Sequence, residues 1–222
     1  MTPALRIHGL RFAHPGSIRL EIPELRLEAG EELLLTGPSG SGKSTLLHLA
    51  AGLLEADAGT IEIAGEDLAA VRGAERDRLR GRRVGMIFQT FNLLAGFTAA
   101  ENVMLALLFA GVPRPAQRPR AEALLASLAI DATDRAVETL SVGQQQRVAT
   151  ARALATGPAL VLADEPTASL DPEAVVRTVD LIRTACREAS AALLLTSHDP
   201  VLRDSFERIV DIREFVVGEV AA

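Results

Sequence analysis

The sequence predicts an α/β domain with a mostly parallel sheet, an antiparallel β portion near its N-terminus and an inserted helical portion. Two observations predict this architecture. Runs that are apolar throughout, at 160–163 and 193–196, are typical of parallel strands covered on both faces. A segment with helical periodicity separates them and places Val175, Val179 and Ile182 on one face. This alternation of strand and helix indicates an α/β fold.

Length and composition restrict the class of protein. The chain has 222 residues, which suits one α/β domain or at most two small ones. A net charge of −6 argues against nucleic-acid binding, for which a basic surface is expected. The longest apolar stretch, 103–112, is far shorter than the ~20 residues of a membrane span. Arg6 and Arg11 argue against a signal peptide. We therefore expect a cytoplasmic protein that meets a membrane only through a partner.

The first third of the chain predicts strands around one helix. Residues 1–30 alternate apolar and polar side chains, which predicts short antiparallel strands. The apolar run 32–36 predicts a buried strand, and a helix is expected over about 42–53. Another strand is expected over 60–64.

The middle of the chain predicts mainly helices. A charged helix is expected over 72–83, followed by a strand over 84–88 and further helices over about 93–128. Proline lacks an N–H donor and interrupts helices. The prolines expected to break this stretch are Pro113, Pro115 and Pro119.

The remaining elements complete a single domain with three portions. A helix is expected over 143–155, and Asp171 and Pro172 form a favourable N-cap and first residue for the helix that follows strand 160–163. The predicted boundaries are 1–35 and 56–70 for the antiparallel β portion, 36–55, 71–90 and 157–222 for the catalytic core, and 91–156 for the helical portion.

A glycine-rich segment between strand 32–36 and the following helix fits the phosphate-binding pattern G-x-x-x-x-G-K-[ST]. Its glycines let backbone N–H groups converge on phosphates, and the helix N-terminus adds its dipole. Lys43, the only lysine of the chain, is expected to reach the β- and γ-phosphates, and Ser44 to ligate Mg²⁺. The alternative is a plain glycine turn. The predicted nucleotide-binding residues of this P-loop are Gly37, Pro38, Ser39, Gly40, Ser41, Gly42, Lys43, Ser44 and Thr45.

Two adjacent acids end the apolar strand at 160–163. At this edge of a P-loop NTPase core, Asp164 is the candidate Mg²⁺ ligand. Glu165 is the candidate general base that takes a proton from an attacking water. The alternative is a pair of helix-capping acids.

Several motifs together resemble the ATP-binding-cassette (ABC) ATPases. They occur in the order of that family over about residues 14–199. The matching segments are Phe88-Gln89 for the Q-loop, Leu140-Ser141-Val142-Gly143-Gln144-Gln145-Gln146-Arg147 for the signature, Asp164-Glu165-Pro166-Thr167 for the acidic motif, Ala168-Ser169-Leu170-Asp171 for the D-loop, and Thr196-Ser197-His198-Asp199 for the switch histidine.

The resemblance implies ATP hydrolysis with Mg²⁺ in a head-to-tail homodimer. It implies that His198 contacts the γ-phosphate and that Gln89 senses Mg²⁺ and water. Taken alone, His198 is more typical of a structural histidine and Gln89 of a polar strand end. The further residues that the resemblance places on the nucleotide are Ser141, Gly143, Gln144 and Asp171.

The chain departs from the family at two positions. Val142 replaces the first of two signature glycines, and a β-branched residue requires an ordinary backbone conformation there. The chain has no tyrosine. By spacing, His14, with Phe12 nearby, takes the place of the aromatic residue that stacks on adenine, which predicts loose base discrimination.

The segment 88–112 resembles the branch of ATPases that drives macrolide efflux and lipoprotein release. A groove beside Phe91, Leu93 and Leu94 is expected to accept a cytoplasmic helix of an integral membrane permease at the inner membrane of a bacterium. Burial inside the helical portion is the alternative for its apolar residues. Other functions considered are a non-transporting ATPase that regulates a membrane partner, a soluble ABC protein and a P-loop kinase.

Overall fold

The structure is a computed structural model and describes residues 2–13, 18–168, 170 and 172–219. Within these residues the strands form two five-stranded sheets. The first sheet is antiparallel and has the order β10-β2-β1-β4-β5. Its strands are β1 (Leu5–Ala13), β2 (Ile18–Leu27), β4 (Ala58–Ile63), β5 (Glu66–Asp67) and β10 (Val216–Glu219).

The second sheet has the order β6-β7-β8-β3-β9, and its neighbouring strands pair in parallel. Its strands are β3 (Glu32–Thr36), β6 (Val84–Ile87), β7 (Leu160–Asp164), β8 (Ala192–Ser197) and β9 (Ile209–Asp211). The α/β fold with a mostly parallel sheet and an antiparallel β portion is therefore confirmed.

Helices cover the parallel sheet and extend beyond it. The α-helices are α1 (Lys43–Ala50), α2 (Ala74–Arg83), α3 (Ala99–Phe109), α4 (Arg114–Ser127), α5 (Val142–Leu154) and α6 (Pro172–Glu188). Short 3-10 helices occur at Val137–Thr139, Pro200–Ser205 and Ile212–Glu214. Because β6 and β7 are parallel neighbours, the chain from α3 to α5 is an insertion between two adjacent strands.

The parallel sheet separates two hydrophobic cores, and its strand residues alternate between them. Leu33 and Leu35 of β3 pack with α1 and the antiparallel sheet, whereas Leu34 packs with the inserted helices and α6. Successive side chains of a strand point to opposite faces. Both faces are buried, which explains why these strands are apolar throughout rather than alternating.

The proline prediction is partly wrong. The helical stretch breaks between Phe109 and Arg114, near Pro113, but Pro115 and Pro119 both lie within α4. Proline is tolerated in the first turn because the N–H there has no partner within the helix. At Pro119 the helix loses one hydrogen bond and continues. Packing of Ala121 and Leu125 in the core compensates for that loss.

Two predicted boundaries of the antiparallel portion need correction. The prediction includes residues 32–35 in this portion, but β3 pairs with β8 and β9 in the parallel sheet. The prediction places residues 216–219 in the catalytic core, but β10 pairs with β2 in the antiparallel sheet. An apolar run shows that a strand is buried, but it does not show which sheet takes it.

The inserted helix α3 begins at a capping box. The Thr98 side chain accepts from the Glu101 N–H, and the Glu101 carboxylate accepts from the Thr98 N–H. Val103 and Leu107 are fully buried, whereas Phe109 at the end of α3 is 75% exposed. Among the described residues, no helix combines the length and apolar character that crossing a membrane requires.

Candidate nucleotide-binding and hydrolysis site

The candidate site lies where three adjacent parallel strands end. β3, β7 and β8 are neighbours, and their carboxyl ends lead into the P-loop, Glu165 and His198 respectively. The carboxyl edge of an open parallel sheet is the usual ligand-binding edge of α/β proteins. Residues far apart in sequence are thus brought together by strand order.

Left-handed glycines shape the P-loop. Gly37, Gly40 and Gly42 have φ values of 147°, 74° and 98°, which side chains other than glycine rarely adopt. A Cβ atom on Gly42 would lie 1.9 Å from Cδ1 of Ile18. The backbone turns at Gly42 directly into α1, which places the helix N-terminus at the loop.

Lys43 is buried and held by three contacts. Its Nζ donates to the carbonyl oxygens of Gly37 and Pro38 at 3.0 and 2.9 Å. It also pairs with Oε1 of Glu165 at 2.9 Å. These contacts fix the ammonium beneath the loop and connect the P-loop lysine to the candidate general base.

Ser44 and Asp164 form the candidate magnesium pair. Ser44 lies in the first turn of α1, and its Oγ donates to Oδ1 of Asp164 at 3.0 Å. One hydroxyl and one carboxylate are a suitable donor set for Mg²⁺, which takes its other ligands from phosphate and water. The residues therefore fit the ion that the sequence predicts.

Glu165 has a left-handed backbone with φ of 41°. This conformation is uncommon for a residue other than glycine. Its carboxylate oxygens contact Lys43 and, at 3.0 Å, Nδ1 of His198. His198 is exposed, whereas Glu165 is half-buried. The structure thus joins the predicted base and the predicted switch histidine in one hydrogen-bonded pair.

Thr196 belongs to the same cluster but was given no role by the sequence interpretation. Its Oγ1 lies 2.9 Å from Oδ1 of Asp164 and 2.9 Å from the N–H of Glu165. The signal that could have revealed it is a hydroxyl at the end of the apolar run 193–195.

Gln89 lies on the same edge of the sheet but is exposed. It follows β6 by two residues, and Ile87 of β6 pairs with Ala163 of β7. The position suits the predicted role near Asp164.

The loop 88–98 after β6 is held by the inserted helices. Phe91 and Asn92 have left-handed φ values of 58° and 48°. Their carbonyls accept from Arg152 of α5 at 2.6 and 2.5 Å. Burial lowers the pKa of the Arg152 guanidinium. Asn102 of α3 accepts from the Leu94 N–H at 2.7 Å.

The signature residues lie at the N-terminus of α5. Ser141 is the N-cap, and its side chain accepts from the Gln144 N–H at 3.3 Å while Gln144 Oε1 accepts from the Ser141 N–H at 3.0 Å. The helix begins at Val142, one residue before the predicted start. Val142 therefore has a helical backbone, as its β-branched side chain requires. Ser141 and Gly143 are exposed. In the part of the chain described, they form no hydrogen bond with the P-loop.

Two predicted site residues, His14 and Asp171, lie outside the described residues.

Comparison with known proteins identifies the family. The family model described as ABC transporter matches residues 20–168. The chain belongs to the ABC transporter family. It is 45% identical to the lipoprotein-releasing system ATP-binding protein LolD of Anaeromyxobacter dehalogenans (strain 2CP-C), over 100% of this chain and 94% of that protein. It is 36% identical to the macrolide export ATP-binding/permease protein MacB of Escherichia coli O157:H7, over 99% of this chain and 34% of that protein.

A solved structure extends the comparison to the fold. The dimeric post-hydrolysis state of the ATP-binding cassette MJ0796, bound to ADP and Pi, matches with a TM-score of 0.81 and 31% identity. The match covers 98% of this chain and 97% of that chain. The predicted family, its branch and the ATPase activity are thereby confirmed, and the chain is the ATP-binding subunit of an ABC transporter.

Proposed function

We propose that this ABC subunit powers lipoprotein extraction from a bacterial inner membrane, as an ATP-bound head-to-tail homodimer at the cytoplasmic face beneath a separate permease. The 45% identity to a lipoprotein-releasing ATP-binding protein supports this substrate class. The observation that carries the chemistry is the cluster of Lys43, Glu165 and His198 beside the Ser44–Asp164 pair.

The hydrolysis mechanism follows from the positions of these side chains. Lys43 and the P-loop N–H groups bind the β- and γ-phosphates. Ser44 and Asp164 would hold Mg²⁺, which would supply neutralisation of the phosphate charge. Glu165 accepts the proton of the attacking water while the new bond to the γ-phosphorus forms and the bond to the β-phosphate oxygen breaks. His198 contacts the γ-phosphate and orients Glu165 through their hydrogen bond.

The dimer supplies the other half of each nucleotide site. The N-terminus of α5 offers N–H groups and the positive end of a helix dipole, which favour an anion. Ser141 and Gly143 are exposed at this end, and the neighbouring Val142 is 56% exposed. We therefore place the γ-phosphate of the partner subunit's nucleotide against them. The resemblance adds Gln144 and Asp171 to this interface, and His14 to the adenine.

A groove between α2, β6 and the inserted helices is the proposed permease site. It encloses a cavity of about 770 Å³. The large exposed apolar side chains that line it are Leu53, Leu94 and Phe109. Exposed apolar surface of this kind is typical of interaction sites. We propose that it accepts an amphipathic cytoplasmic helix of the permease. The basic side chains of Arg78 and Arg80 also line the groove.

The loop 88–98 connects this groove to the hydrolysis site. It contains Gln89 near its start, and its residues Asn92 and Leu94 line the groove. Arg152 holds the loop to α5, whose other end carries Ser141. Movement of a helix in the groove would thus be transmitted to both Gln89 and the signature.

The alternative functions fit less well. Relatives named for lipoprotein release and macrolide export favour a transporter subunit over a regulator of another membrane enzyme. A soluble ABC protein would have no use for an apolar permease groove, and a small-molecule kinase would have no use for a signature that faces another subunit.

The test is recovery of the partner with Glu165→Gln, which should bind ATP, hydrolyse none and accumulate the closed dimer. Tagged protein would be purified with MgATP from gently solubilised native membranes, followed by mass spectrometry. We expect an integral permease with a large extracytoplasmic domain. The control is Glu165→Gln combined with Leu94→Asp and Phe109→Asp, which should dimerise with ATP but lose the permease. Ribosomes or nucleic acid without a membrane protein, or normal turnover in Glu165→Gln, would overturn the proposal.

A further inference from the structure

Thr196 carries a hydroxyl into an apolar layer of the parallel sheet. It is fully buried near the end of β8 and follows three buried leucines. In the ladder between β7 and β8 it is the Cα partner of Asp164. Buried hydroxyl groups are almost always hydrogen-bonded, so the partners of this one indicate what it does.

Both close partners of the Thr196 hydroxyl belong to the hydrolysis site. Oγ1 lies 2.9 Å from Oδ1 of Asp164 and 2.9 Å from the backbone nitrogen of Glu165. The carbonyl of Ala163 is further away, at 3.5 Å. A hydroxyl has one proton and an ionised carboxylate only accepts. Thr196 therefore donates to Asp164 and accepts from the Glu165 N–H.

These two bonds act on different parts of the site. The first directs Oδ1 of Asp164, which also accepts from Ser44 across the P-loop. The second holds the backbone of Glu165 at its left-handed φ of 41°. A non-glycine residue stays in such a conformation only when its surroundings hold it there. One buried hydroxyl thus fixes both acids of the acidic motif.

We propose that Thr196 is a positioning residue for ATP hydrolysis, which sets the carboxylate of Asp164 for metal binding and the backbone of Glu165 for its role as base. This inference rests on the roles proposed above for Asp164 and Glu165. Thr196 acts through these two residues and contacts no substrate itself.

Three variants separate the hydroxyl from the volume of the side chain. Thr196→Val keeps the shape and removes both hydrogen bonds, whereas Thr196→Ser keeps the hydroxyl and removes a methyl group. Thr150→Val is the matched control. Thr150 is also fully buried, but its hydroxyl donates to the Gln146 carbonyl within α5, at 3.0 Å.

A role of the Thr196 hydroxyl in hydrolysis and a purely structural role predict different kinetics for these variants. For Thr196→Val we expect kcat to fall about tenfold or more and the half-saturating Mg²⁺ concentration to rise. Thr196→Ser should keep most of the activity at a lower Tm. Thr150→Val should match the wild type in kcat and in Mg²⁺ response, because its hydroxyl lies within α5.

A binding measurement tests the same inference without turnover. In the Glu165→Gln background, the affinity for a fluorescent ATP analogue would be measured in EDTA and in Mg²⁺. Thr196→Val should leave the affinity in EDTA unchanged and lose most of the gain that Mg²⁺ provides.

Two outcomes would overturn the inference. One is a Thr196→Val protein whose kcat and Mg²⁺ gain equal those of Thr150→Val. The other is a Thr196→Ser protein that loses as much activity as Thr196→Val, since volume rather than the hydroxyl would then matter. Failure to recover a membrane partner with Glu165→Gln would instead overturn the proposed transport function and leave this result standing.

Discussion

At the scale of single residues, the conformation of Val142 explains how the signature tolerates a β-branched side chain. Val142 is the first residue of α5, and its side chain points largely into solvent. The capping bonds are made by Ser141 and Gln144, so the Val142 side chain takes no part in them. The missing glycine is therefore compatible with an intact helix N-terminus.

Val142→Gly should leave kcat within about tenfold of the wild type, because the change costs the helix at most about 1 kcal/mol of propensity. Steady-state ATPase measurements test this. Ser141→Ala is the control and should lose far more, since it removes both the cap and the expected phosphate contact. Abolished turnover in Val142→Gly would contradict this account and give the valine an essential role.

At the scale of elements, α5 has an unfavourable buried group on its packed face. Both side-chain polar atoms of Gln146 are buried without a hydrogen-bond partner in the part of the chain that the structure describes, and the residue is 3% exposed. Gln117 of α4 is buried as well, but its amide donates to the Val112 carbonyl at 2.8 Å. Both glutamines are therefore buried, but of the two only Gln117 has a hydrogen-bond partner for its side chain among the described residues.

Gln146→Met should raise the free energy of unfolding by about 1 kcal/mol, because it removes unsatisfied polar atoms at similar volume. Gln117→Met should lower the same free energy by about 1 kcal/mol, since it removes the hydrogen bond to the Val112 carbonyl and leaves that oxygen without this donor. Urea unfolding at an unchanged m-value measures both. Equal destabilisation by the two substitutions would show that Gln146 has a partner after all.

At the scale of the whole molecule, two cores share one sheet, and the single cysteine reports on one of them. Cys186 of α6 is 1% exposed in the core on the helical side of the parallel sheet. Burial, together with the nearby charge of Glu32, raises the pKa of its thiol to about 12. The thiol is therefore inaccessible to reagents and protonated near neutral pH. Because the thiolate is the reactive form, we expect Cys186 to be unreactive in the folded protein.

Native protein at pH 8 should therefore react with a thiol reagent only as fast as it opens, and MgATP should slow that reaction because it binds the folded state. The reaction rate is measured from the change in absorbance of a chromogenic thiol reagent, with and without MgATP. Protein in denaturant, where the thiol has its ordinary pKa, is the control and should react at once. Complete reaction of the native protein within the dead time would contradict the described burial.

Much of the fold could be predicted because its signals are local. The apolar runs of β7 and β8 and the glycines of the P-loop each depend on residues next to one another in sequence. The same holds for Lys43, Asp164 and Glu165, whose residue types and local patterns suffice to predict a nucleotide site. Local signals were insufficient at Pro119, where packing of Ala121 and Leu125 outweighs the lost hydrogen bond.

The sequence by itself determined the α/β class, the nucleotide chemistry and the family, because these follow from short motifs and periodicity. The tertiary structure alone decided that β3 joins the parallel sheet, that Lys43 pairs with Glu165, and that Thr196 connects Asp164 to the Glu165 backbone. These contacts join residues separated by between 31 and 122 positions or depend on strand order. Such contacts arise only when the strands of the sheet are assembled side by side, and no local pattern records them.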